Sequence, residues 1–114
     1  MKVEHVAIRA HSEELAGSHT WVRDLRVEWQ EEDGEQLCLI SVISAYRLAD
    51  VRLILRRGPS EQILGSNLAV NHHFETKQPL APGDEIELQW RPIAPTRALA
   101  SSTWAELIVK AIDG

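Results

Sequence analysis

Thr20–Tyr46, TWVRDLRVEWQEEDGEQLCLISVISAY, decides the fold class. Its first third alternates. Trp21, Leu25, Val27 and Trp29 are apolar, while Asp24, Arg26, Glu28 and Gln30 between them are polar. A period of two is the signature of a strand with one wet face. Asp33-Gly34 follows inside an acidic run, where the left-handed geometry of a tight turn suits glycine and predicts a hairpin. The stretch from Gln36 to Tyr46 is then apolar at both parities, Leu37, Leu39 and Ile43 against Cys38, Ile40 and Val42. That predicts a central strand covered on both faces.

The same grammar extends outward. Val51, Leu53 and Leu55 alternate with Arg52, Ile54 and Arg56, and Gly58-Pro59-Ser60 reads as the turn after them. A short strand is expected over Glu61–Leu64. Another is expected near Leu68, Val70, His72 and Phe74, with a Pro- and Gly-rich turn over Gln78–Asp84. Ile86, Leu88 and Trp90 alternate with Glu85, Glu87 and Gln89, and Pro92 and Pro95 end ladder pairing. Residues 102–112 fit two templates. Trp104, Leu107, Ile108, Ala111 and Ile112 have helical spacing, with Thr103 and Glu106 resembling a capping box. Leu107, Val109 and Ala111 also alternate as a strand. The strand is favoured, because seven preceding strands need a partner. Evenly spaced strands without helices predict one all-β domain over residues 1–114. The expected form is an antiparallel sandwich of seven to eight strands, immunoglobulin-like or jelly-roll in type.

Composition limits the function classes. The 114 residues are 44% hydrophobic and 25% charged, an ordinary globular balance. No apolar run is long enough to cross a bilayer, and MKVEHVAIRA has no signal-peptide core. The net charge is −5, and the nine arginines are scattered, so no nucleic-acid partner is expected. The single Cys38 lies within an apolar run and reads as a small buried hydrophobe in a reducing, cytoplasmic setting.

No catalytic motif stands out: there is no GxxxxGK, G-x-S-x-G, HExxH or CxxC, so no enzyme is expected. The carboxylates gather at residues 31–35 or on wet strand faces, which disfavours a paired-carboxylate hydrolase. Asn71-His72-His73-Phe74-Glu75 invites a metal reading, but neighbouring strand residues point to opposite faces. His73 and Glu75 would need a third ligand from another strand, such as His5, His11 or His19. Neither metal nor cofactor is expected.

The four tryptophans outnumber the one Tyr and one Phe. Trp21, Trp29 and Trp90 share parity with apolar neighbours, so core packing is expected for all three. Trp104 lies in a less determined segment and is the one expected in solvent. Tyr46 stands at a strand end, where a ring can stack on a ligand. With Asn67, Asn71, His73 and Trp104 it forms the expected ligand-binding set, aromatics stacking on a sugar and amides bonding its hydroxyls.

One progression of motifs goes further. Gly34-Glu35-Gln36-Leu37 opens a buried strand, and Leu48-Ala49-Asp50-Val51 opens the next. Gln62-Ile63-Leu64-Gly65-Ser66-Asn67 and Leu80-Ala81-Pro82-Gly83-Asp84 follow, and Leu107 to Gly114 closes the chain. This order resembles the C-terminal carbohydrate-binding domain of the ATPase subunit of O-antigen ABC exporters, over about eighty residues. The resemblance implies a bacterial β-sandwich that dimerises and recognises a polysaccharide end before export. It fixes no sugar-contacting positions. No nucleotide-binding domain precedes the segment, so the expectation is an excised module or a free-standing relative, and residues 93–103 are looser than the family's turn. Two functions stay open: a glycan-binding module, or an assembly subunit that binds another protein through a strand edge or apolar patch, with a homodimer compatible with either.

Overall fold

The structure is a computed structural model that describes residues 3–11, 21–44, 49–68, 73–92 and 103–112. Eight strands are present: β1 (Glu4–His11), β2 (Val22–Glu28), β3 (Gln36–Ser44), β4 (Ala49–Arg57), β5 (Ser60–Gly65), β6 (His73–Leu80), β7 (Glu85–Pro92) and β8 (Thr103–Ala111). They form two antiparallel four-stranded sheets. The first has the order β1-β8-β3-β6 and the second β2-β7-β4-β5. The expected all-β sandwich of eight strands is present, and the C-terminal segment is strand rather than helix, because β8 fills the gap between β1 and β3.

Alternation places the core between the sheets. Leu25, Val27, Val51, Leu53, Leu55, Ile86, Leu88 and Trp90 come from the second sheet. Cys38, Ile40, Val42, Ala105, Leu107 and Val109 meet them from the first. Each fully buried Leu or Ile side chain contributes about 2 kcal/mol of transfer free energy, which makes this layer the main source of stability.

The chain runs alternately up and down, so every second connection lies at the same end. One end is closed by short turns. Trp29 seals it: its indole Nε1 donates to the Gly34 carbonyl at 2.7 Å, and its backbone bonds Asp84 and Gly83. His5 meets the Trp29 ring edge-on at 5.4 Å. Asp33 Oδ2 accepts the Gln30 N–H at 2.7 Å and lies 2.8 Å from His5 Nε2. Burial resists ionisation of Asp33, yet the Gln30 N–H and His5 hold its pKa below the usual value. Arg57 clasps both carboxylate oxygens of buried Asp84 and reaches the Pro79 carbonyl.

Four expectations are corrected. Asp33-Gly34 does not turn a hairpin: a 3-10 turn over Glu31–Asp33 carries the chain from β2 in one sheet to β3 in the other. β3 is central in its sheet but covered on one face only, with Leu37 48% exposed. β6 starts at His73 and runs through Pro79, which an edge strand tolerates because its outer side has no ladder partner. Trp21 is not a core residue. The β2–β7 register slips between Arg23 and Leu25, so Asp24 is an extra residue and parity reverses across it. Val22 is registered with core residue Trp90, and half-buried Trp21 lies on the outer face.

Candidate interaction face

The outer faces of the two sheets differ in chemistry. On the β2-β7-β4-β5 sheet, Glu87 is the hub. It is wholly buried although it points away from the core, because the arginines of the neighbouring strands lie over it. Arg23 Nε donates to both its oxygens at 2.9 and 2.8 Å, and Arg56 donates to Oε2 at 2.9 Å. Gln89 Nε2 also donates to it, and Arg52 donates to Gln89 Oε1 at 2.7 Å. Burial opposes ionisation of Glu87, but the bonds from Arg23 and Gln89 and the charge of Arg56 outweigh it and bring its pKa down to about 2.

The network continues to both sides. Arg56 bonds Glu61 and Glu85, and Arg23 also reaches Glu85. Arg52 and Arg91 stack on Trp21, 4.0 and 4.5 Å from its ring centre, and Arg91 pairs with Asp50 at 2.9 Å. Most charges of this face are tied to one another, with Arg26 and Glu28 at the β2 edge left in solvent. Among the described residues it presents one large exposed apolar side chain, Ile63.

The outer face of the β1-β8-β3-β6 sheet is the opposite. The strand registers arrange it in rows. Glu4, Lys110, Leu39 and Lys77 form one, Val6, Ile108, Ser41 and Glu75 the next, and Ile8, Glu106, Ile43 and His73 a third. Val6 and Ile8 are 47% and 59% exposed, and Leu39, Ile43 and Ile108 are half-buried. Among the described charges here, His73 and Glu75 approach each other at 3.2 Å, while Glu4, Glu106, Lys77 and Lys110 have no side-chain partner. A groove of about 660 Å³ opens at the β1–β8 end of this face, lined by Val3, Glu4, Leu39, Lys77, Lys110, Ala111 and Ile112.

The expected ligand-binding residues do not form one described site. Asn67 is exposed after β5 with a φ of 56°, a left-handed conformation that Asn tolerates, and the next N–H bonds the Val51 carbonyl. His73 is exposed at the start of β6, opposite Ile43. Trp104 takes its place in β8 opposite Ala10, and its side chain lies outside the described residues, as do Tyr46 and Asn71 entirely. The strand ends next to all five lie at the same end of the sandwich, opposite the Trp29 seal.

Sequence reading missed Val6, Ile8 and Ile108. Their signal was present: in β1 and β8 the solvent-side parity carries apolar residues among the charges. Alternation alone does not reveal which parity faces the core.

Among the described residues, no group of three His, Cys, Asp or Glu side chains is placed to hold a metal ion. His5 and His73 lie at opposite ends of the fold. No described helix is long and apolar enough to cross a membrane. No family model, curated protein or solved structure matches the chain.

Proposed function

We propose that this chain is a non-catalytic binding module that engages a partner protein through the outer face of its β1-β8-β3-β6 sheet. One observation carries the reading: the two outer faces differ. One ties most of its charges into a single network around Glu87 and presents only Ile63 as a large exposed apolar side chain among the described residues. The other leaves several apolar side chains in solvent among unpaired charges. Exposed apolar patches rimmed by charge are the usual mark of a protein contact. The strand order, β1-β8-β3-β6 over β2-β7-β4-β5, supports the jelly-roll type over the immunoglobulin-like one, an architecture shared by lectin and capsid domains. Architecture alone does not assign function, so the face is what argues for a partner. A lone buried thiol supports a reducing, cytoplasmic setting.

The test is site-specific photo-crosslinking in cells, with the reactive side chain at Ile8 on one face and at Ile63 on the other. Protein crosslinks from Ile8 and none from Ile63 are expected. Equal yields, or none from Ile8, overturn the reading.

A glycan ligand is the second reading, favoured by exposed Asn67 and His73 beside strand ends at one end of the fold. A glycan array giving signals that fall on replacing both with Ala supports it, and a flat array removes it.

A further inference from the structure

We infer that the partner seated on this face is a second copy of the chain, packed face to face about a two-fold axis that passes over Ile108 across the strands. The inference rests on the binding reading above and names its occupant. The central pattern of the face, on β8 and β3, is self-complementary about that axis. On the outward side of β8, Glu106, Ile108 and Lys110 follow one another, and on β3 Leu39, Ser41 and Ile43 stand beside them. Rotation by half a turn about an in-plane axis perpendicular to the strands keeps each strand over its own copy and reverses its direction. Ile108 then meets the partner's Ile108 and Val6 the partner's Val6. Glu106 meets the partner's Lys110, and Lys110 the partner's Glu106. Leu39 meets the partner's Ile43. Glu106 and Lys110, which lack an intramolecular partner at the centre of the face, thus find one in the second copy, while Val6, Ile108, Leu39 and Ile43 meet apolar residues. At the rims Glu4 faces the partner's Ile8, Lys77 the partner's His73 and Glu75 the partner's Glu75.

The alternative two-fold axis, parallel to the strands, sets Lys110 over the partner's Leu39 and Glu106 over the partner's Ile43. That buries both central charges on apolar groups without a counter-ion, which is costly, whereas the perpendicular axis does so only for Glu4 at the rim. The perpendicular axis also carries the exposed Ile8 of each copy to the mouth of the other's groove, beside Glu4 and Val3. Four strands about 4.8 Å apart and up to about 30 Å long give a plan area near 550 Å², which side-chain relief brings towards the roughly 800 Å² per partner of a standard interface. Two stacked sheets crossing at about 30° suit such a contact.

Sedimentation equilibrium of the purified full chain tests this. A dimer is expected, with a dissociation constant at or below the order of 10 μM. Glu106→Lys and Lys110→Glu should each raise it about tenfold, and the double exchange should restore it to within about threefold, the signature of one direct pair. Ile108→Glu sets two carboxylates together on the axis and should leave only monomer. Circular dichroism checks its fold, and Ile8→Glu, on an edge strand and facing the partner's Glu4, gives a second disruption with less risk to folding. A native protein that stays monomeric at about 100 μM overturns the inference, as does a dimer unmoved by Ile8→Glu and by both single exchanges. A monomer whose Ile8 probe crosslinks to a different protein removes the second copy and keeps the binding reading. A monomer with no crosslink removes both.

Discussion

Glu87 has no exposed surface, yet it stands on the solvent side of β7 with the Arg56 guanidinium 2.9 Å from its carboxylate. Its pKa is depressed to about 2 from an ordinary 4.5. A depressed carboxylate contributes stability that is fully present above its unfolded pKa and lost as pH falls through the folded one. Urea denaturation at stepped pH should therefore show stability falling between about pH 5 and pH 2. Glu87→Gln should cost about 2–3 kcal/mol at pH 7, less than a fully buried pair because Arg23 is half in solvent, and should flatten that pH dependence.

Trp21 and Trp90 are one row apart in the β2–β7 ladder but differ in what they support. Trp90 is 1% exposed within the core, whereas Trp21 stacks with Arg52 and Arg91 on the outer face. Trp21→Ala should cost about 1–2 kcal/mol, and Trp90→Ala about 3–5 kcal/mol. Chemical denaturation of the two variants checks the ranking, which reverses if parity rather than the bulge at Asp24 decides burial.

Gly65 lies under the ring of Phe74. A Cβ built on Gly65 would come within 2.8 Å of Phe74 Cζ, so the ring must move to admit even a methyl group. Gly65→Ala should destabilise by about 1–3 kcal/mol. Combined with Phe74→Leu, its extra cost should largely vanish, because the two substitutions share one contact. A double-mutant cycle on unfolding free energies measures this.

Cys38 should be chemically silent in the native protein. Burial, and then the charge of Asp33, push its thiol up to about 11. An aromatic disulfide reagent at pH 8 should label it only at the rate of global unfolding, and fast labelling in native buffer would contradict its burial.

Much of this architecture is legible in the chain because β7 alternates strictly and β4 and β8 keep one parity apolar, Val51, Leu53 and Leu55 in the first and Ala105, Leu107, Val109 and Ala111 in the second. It fails where one residue shifts the count. Asp24 adds a position to β2, and every inference about Trp21 drawn from parity inverts. Pro79 reads as a turn residue because the sequence does not announce which strand will be an edge. Glu87 and Gln89 read as wet residues, since a period of two reports the side of the sheet and not what lies over it. That depends on Arg23, Arg52 and Arg56, which come from strands distant in sequence. For the same reason the candidate face was only half visible: Ile8 and Ile108 become neighbours of one surface only when β1 pairs with β8.

The connections 12–21, 45–48, 66–72 and 93–102 all join one sheet to the other at the end away from Trp29. None joins two neighbouring strands of the same sheet, so none sets a hydrogen-bond register. Doubling such a connection adds only about 0.6 kcal/mol of closure entropy. The domain is therefore a chassis with four fittings on one side, whose lengths can change while the eight-strand frame and the broad face of β8 stay as they are, provided Trp21 and the buried Leu68, which belong to the frame, are kept.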